Sequence, residues 1–357
     1  MAEQLKNVYT EEYIKNLSIK IKENYNNFDS DSFINSIFNL TWETLELKMR
    51  MRHIAITLNE YLPLAYKKQL EILKPVTKDF SGFEAMFFQD FVEVYGLDDF
   101  ENSMDALEVF TIDSSSEFAI RQFILKYEDK TMKQMKLWAK SLNEHIRRLA
   151  SEGCRPRLPW AVALPRFKAN PSKVFEIIEL LKNDPSKYVQ KSVANNLNDI
   201  SKDNEDIVIE FLYKNLGKTK NLDWICKHAA RTLLKNGNKR VLELFGYKKS
   251  SHIEILDFVL DKDVKLSEDL NFSFRLSSLE ALGNVRVEYM IYYKKSNNTH
   301  NKKIFMISQG EMKIKEKAFT KKQSFKDMTT RKHYKGLHYI SIVLNGEEKI
   351  KKEFNLI

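Results

Sequence analysis

Little punctuates this chain of 357 residues: it has two cysteines, seven prolines and ten glycines. Cys154 and Cys226 cannot build a disulfide framework and suit a reducing compartment. Each reads as a small buried residue rather than a reactive thiol. Scarce glycine and proline favour long stretches of helix. No apolar run reaches the roughly 18 residues that span a bilayer. The opening MAEQLKNVYTEEY carries no apolar core of the kind a signal peptide needs. Metal-type cysteine and histidine spacings, a GKS/T phosphate loop and a GxGxxG pattern are all missing, so neither a metal nor an organic cofactor is expected.

What is present is a globular composition, 43% hydrophobic and 30% charged, long enough for two domains. The net charge is +9 and is unevenly placed. Residues 285–357 hold 17 Lys and Arg against 7 Asp and Glu, whereas the rest of the chain holds 41 against 42. A basic excess concentrated in this way suits a polyanion such as nucleic acid; a merely lysine-rich surface is the plain alternative.

The periodicity changes along the chain. Up to about Tyr247 apolar residues recur at helical spacing, as in Val174, Ile177, Ile178 and Leu181. Beyond Lys248 the pattern alternates: NVRVEYMIYY reads as a strand, and Asn345-Gly346 in YISIVLNGEEKIKKEF signals a tight hairpin. The expected organisation is a helical domain over 1–248 and a small all-β sandwich over 249–357.

The helical part repeats. EHIRRLASEG, KYVQKSVANNLND and WICKHAARTLLKNG align with Ile146, Val189 and Ile225 in register. Ala150, Val193 and Ala229 follow four residues later, then Leu197 and Leu233. Another helix precedes such a segment, as SKVFEIIELLKN does KYVQKSVANN. This is the pattern of HEAT-like helix pairs, which stack into an α solenoid because one pair cannot bury its apolar side alone. The register also aligns a polar stripe: His145, Arg148 and Glu152, then Tyr188, Ser192, Asn195 and Asp199, then Trp224, His228, Arg231 and Lys235. An ordinary solvated face would favour long Lys and Glu. Short Ser, Asn and Asp instead let another backbone approach, and the last helix adds cations suited to phosphate.

RRLASEGCRPRLPWA, SVANNLNDISKDN and HAARTLLKNGN, with SSSEFAIRQF before them and TTRKHYKGLHYISIVLNG near the end, resemble the AlkC family of DNA alkylation-repair glycosylases, in the subtype with a C-terminal immunoglobulin-like domain. The resemblance is least distinct over the first hundred residues. It implies hydrolysis of the N-glycosidic bond of cationic alkylated bases, chiefly 3-methyladenine and 3-methylcytosine, without deep flipping of the nucleotide. It implies alkylated double-stranded DNA as partner, a bacterial cytoplasmic setting at the nucleoid, a monomer, and no membrane. Carried over motif by motif, the site residues are Glu117 in SSSEFA, Glu152 in LASEG, Trp160 in RLPW and Asp199 in NNLND.

These residue types suit that reaction. A cationic alkylated base leaves as a neutral molecule without prior protonation, so the sugar, which turns oxocarbenium-like, is what needs stabilising. A carboxylate near C1′ stabilises that cation and can hold and deprotonate the attacking water. Paired carboxylates do the same in sugar hydrolysis, where an acid is needed as well. An indole face adds about 0.5–2 kcal/mol of cation–π attraction. Asp199 takes the water-positioning role, Glu152 and Glu117 shape the field, and Trp160 packs on the damaged nucleotide. Structural roles stand beside these: Glu152 as an ion-pair partner of Arg155 or Arg157, Asp199 as a cap on the next turn, Trp160 as a core aromatic. The phosphate-contact candidates are Arg148, Arg155, Arg157, His228, Arg231 and Lys235, with Arg331, Lys332, His333 and Lys335 in the C-terminal loop. The competing reading is a non-catalytic helical-repeat scaffold, which needs no Glu117, Glu152, Trp160 and Asp199 set.

Overall fold

A computed structural model describes residues 4–327 and 332–357. Its helices are α1 (Glu11–Asn24), α2 (Ser30–Ile37), α3 (Leu47–Tyr61), α4 (Tyr66–Val76), α5 (Phe87–Tyr95), α6 (Phe100–Phe110), α7 (Ile120–Lys126) and α8 (Glu128–Trp138). They continue with α9 (Glu144–Gly153), α10 (Pro165–Ala169), α11 (Ser172–Leu181), α12 (Lys187–Ile200), α13 (Glu205–Asn215), α14 (Lys220–Ala229), α15 (Arg231–Lys235) and α16 (Lys239–Leu244). The strands are β1 (Glu254–Leu260), β2 (Asp263–Val264), β3 (Asp269–Ser277), β4 (Gly283–Lys294), β5 (His300–Met312), β6 (Glu316–Ser324), β7 (Gly336–Leu344) and β8 (Glu347–Leu356). The chain separates into two compact units, Met1–Ala229 and Ala230–Ile357.

In the first unit α9, α12 and α14 lie side by side, and α8, α11 and α13 pack against them as a second layer. The aligned residues Ile146, Ala150, Val189, Val193, Ile225 and Ala229 are all buried, so the repeat seen in the sequence is the seam between helices. Side-chain oxygens start two of them: Asn143 accepts from the His145 N–H, and Ser186 from the Tyr188 N–H. The last residue of α9 is Gly153, where a Cβ would lie 2.6 Å from Ile120 and 2.8 Å from Met135. The third repeat helix differs from its expected form. WICKHAARTLLKNG is not one helix but two, α14 and α15, with the break at Ala230.

The second unit is a sandwich of a three-stranded sheet, β1-β3-β6, and a five-stranded sheet, β2-β8-β7-β4-β5. Among the described residues only β2 with β8 is parallel. Val285, Val287, Tyr289, Ile291 and Tyr293 point from β4 into the shared core, the period-2 pattern read from the sequence. The β7–β8 hairpin turns on Asn345 (φ 49°) and Gly346 (φ 77°), both left-handed as a two-residue turn of this type requires. The same turn receives α16. Asn345 Nδ2 donates to the Lys248 carbonyl at 2.7 Å, and a Cβ on Gly346 would meet Leu242. These contacts attach α16 to the sandwich, and the compact units divide after Ala229.

Candidate active site

The site grows from the ends of α9 and α12. Arg155 follows α9 and is buried, with 7% of its surface exposed. Its Nε donates to Asp199 Oδ2 at 2.9 Å, its Nη2 lies 2.8 Å from the same oxygen, and its Nη1 donates to Glu152 Oε1 at 2.6 Å. The other Glu152 oxygen accepts the Ser192 hydroxyl at 2.6 Å. One turn back, Arg148 donates to Glu117 at 2.9 Å and to Ser115 at 2.5 Å, and it lies 3.6 Å from Glu152. Lys202 Nζ closes the far end, 3.0 Å from Asp199 Oδ1. The result is a row of alternating sign: Glu117, Arg148, Glu152, Arg155, Asp199, Lys202.

Burial decides what this row can do. Glu152 and Asp199 are 6% and 2% exposed, which charged groups tolerate only when paired and hydrogen-bonded. For both arginines burial works against the cation. The carboxylates outweigh it: Glu152 and Asp199 hold Arg155, and Glu117 and Glu152 hold Arg148, above the ordinary arginine range. Of the three carboxylates, Asp199 alone has an oxygen whose described ion-pair partner is a flexible, part-exposed side chain, since the Lys202 side chain is 38% exposed.

Trp160 is 70% exposed, so it is not a core aromatic. It sits in the left-handed region, at φ 64°, a conformation that costs a non-glycine residue on the order of 1 kcal/mol or more and survives only where neighbours hold it. Two cations hold this loop. Lys48 donates to the Trp160 carbonyl at 2.7 Å. Arg121, fully buried, donates to the carbonyls of Val162, Gly153 and Arg155 at 2.6, 2.9 and 2.8 Å. Burial pushes the Arg121 guanidinium down to about 10.

The polar stripe is continuous across helices. The His145 and Tyr188 rings lie 5.5 Å apart, Arg148 lies over Tyr188, Ser192 meets Glu152, and His228 lies 3.2 Å from Asn195. Trp224 stacks on His228 at 5.0 Å.

The phosphate-contact candidates fall into different settings. Arg148 and Arg155 are enclosed in the carboxylate row. Arg157 makes two bonds to Asp203, at 2.8 and 2.6 Å. Arg231 is half-buried at the start of α15, and Lys235, Lys332 and Lys335 are exposed. His333 is buried beside Asp327, Phe325 and Tyr293. Arg331 lies outside the described residues. Sequence reasoning passed over Lys202, and Arg121 entered it only within the motif SSSEFAIRQF. The position of Lys202 three residues after Asp199 was the available signal; nothing local marks Arg121 as a loop brace.

A helical-repeat region followed by a β-sandwich is the architecture of a DNA-repair class. Residues 101–239 match the family model of the DNA alkylation repair enzyme, and residues 255–357 match that of the C-terminal Ig-like domain of the uncharacterised protein YhaZ. The chain is 43% identical over 354 residues, 99% of each chain, to the uncharacterized protein YhaZ of Bacillus subtilis (strain 168). Its structure is similar to that of Pseudomonas fluorescens alkylpurine DNA glycosylase AlkC bound to DNA containing an abasic site analog, with a TM-score of 0.95 and 35% identity, covering 99% of this chain and 100% of that one. The chain belongs to the AlkC family of DNA alkylation-repair glycosylases, in the subtype with a C-terminal immunoglobulin-like domain. Among the described residues no helix is long and apolar enough to cross a membrane.

Proposed function

We propose that this protein is a monofunctional DNA glycosylase that hydrolyses the N-glycosidic bond of cationic alkylated nucleotides, 3-methyladenine and 3-methylcytosine, in duplex DNA without drawing the nucleotide into a deep pocket. The observation that carries the reading is the Asp199 carboxylate: Arg155 pins one oxygen from within, and the other meets only the part-exposed Lys202 among the bonds described. A carboxylate held this way is preorganised, so it stabilises the sugar cation without rearranging as charge develops. Its outer oxygen is also the one able to hold and deprotonate a water at C1′.

Glu152 and Glu117 set the field through Arg155 and Arg148, since their described bonds are to buried or half-buried partners. The exposed Trp160 offers its indole face to the lesion or its sugar, where cation–π attraction favours a charged nucleotide over a neutral one. None of the four catalytic candidates, Glu117, Glu152, Trp160 and Asp199, is a lysine, which supports hydrolysis without a Schiff-base lyase step. Lys235, Lys332 and Lys335 are the exposed cations proposed for the DNA backbone. The protein acts as a monomer in the cytoplasm, at the nucleoid.

The test is release of 3-methyladenine from methylated duplex DNA. Wild type should release it and leave abasic sites. Asp199→Asn should lower the rate about 10²–10³-fold while keeping the helical circular dichroism signal. Full activity in that variant removes Asp199 from its role, and no abasic sites with wild type leaves the scaffold reading.

A further inference from the structure

Lys202 stands two residues beyond α12, where a cation also suits the helix C-terminus. Its ammonium lies 3.0 Å from Asp199 Oδ1, the oxygen that Arg155 does not bind. The two cations on this carboxylate are unlike. The Arg155 side chain is 8% exposed and bonded twice over; the Lys202 side chain is 38% exposed. Lysine is a point charge on a flexible stem, able to leave as a unit, whereas the guanidinium fork is locked by its geometry.

We infer that Lys202 is a specificity-determining residue: it holds, in the DNA-free protein, the place beside Asp199 that the positive charge of the lesion and its sugar takes during reaction. This rests on the glycosylase reading above. A cationic nucleotide can replace the ammonium on Asp199 with charge conserved. A neutral nucleotide cannot, because displacing Lys202 would leave Asp199 with one of its two counter-charges. Lys202 therefore lowers the affinity for charged lesions and leaves neutral sites, which do not displace it, as they are. A ligand that competes for one subsite weakens binding in proportion to the strength of its own contact. Once displaced, the ammonium is at the protein surface and free to meet a phosphate.

The experiment compares two duplexes, one carrying a neutral tetrahydrofuran abasic analogue and one carrying a cationic pyrrolidine analogue of the sugar cation. The readout is the ratio of their Kd values. Wild type should prefer the pyrrolidine duplex. In Lys202→Met the preference should rise about fivefold, the worth of one part-exposed ion pair, because the competitor is gone. Lys202→Gln should behave as Lys202→Met does, and Lys202→Arg should stay near wild type. A Lys202 that serves only as a phosphate contact or a helix-end cation would weaken both duplexes alike. An unchanged or lower ratio in both neutral variants, with wild type still preferring the cation, overturns this role alone. A wild type that holds neither analogue more tightly than unmodified DNA overturns the glycosylase reading and this role with it.

Discussion

In the helical unit Arg148 and Arg155 are enclosed by Glu117, Glu152 and Asp199, and their charge never reaches solvent as a free cation. In the β unit Lys332 and Lys335 stand exposed on the loop before β7. Both sets looked alike in the sequence, as basic residues near suspected DNA-facing motifs. Their physics is opposite. A buried pair fixes the position of a carboxylate to within a hydrogen bond and is little affected by salt. An exposed lysine fixes nothing, but it contributes to affinity through the counterions that DNA releases. On the proposed reading, chemistry belongs to the first kind of charge and holding power to the second.

Three changes would break or sharpen that contrast. The largest effect is expected from Glu152→Gln. It leaves Arg148 and Arg155 short of a counter-charge in a buried setting, and removal of one partner of such a group costs about 3–5 kcal/mol. Thermal melting should fall steeply, and 3-methyladenine release should fall with it even below the melting range. A melting temperature equal to wild type would mean the row is not structurally coupled. Trp160→Ala comes next. Because the indole is exposed, stability should change by about 0.5 kcal/mol or less, while excision drops roughly tenfold through lost contact with the charged nucleotide. Loss of fold without selective loss of activity would return Trp160 to a structural role. The smallest effect belongs to Lys332→Ala and Lys335→Ala. Each should weaken binding to any duplex alike and reduce the slope of log K against log salt by about one. An unaltered slope in the double variant would detach that loop from DNA.

The parts legible in the sequence were those set by local chemistry. The aligned Ile146, Val189 and Ile225 became the helix seam, and Asn345-Gly346 became the hairpin turn, because periodicity and turn geometry act over a few residues. The motif LASEGCRPRLPW carried more. Its glutamate and first arginine do pair, three residues apart. What it did not show was the third member, since Asp199 is 44 residues away from Arg155 in the chain. Other features were hidden for the same reason. The burial of His333, the break at Ala230 and the bracing of the Trp160 loop by Arg121 all depend on what packs beside them.

The sequence by itself determined two structural regimes, a repeat of helices and a basic all-β end, along with the residue types of the site. Side-chain periodicity encodes which face of each element is apolar, and that is a local property. Only the tertiary structure decided which charges neutralise each other, which aromatic is left in solvent, and which oxygen of Asp199 faces the part-exposed Lys202. Those outcomes follow from α9 and α12 lying against each other. The strength and direction of an ion pair depend on distance and burial, and neither exists until the helices have packed.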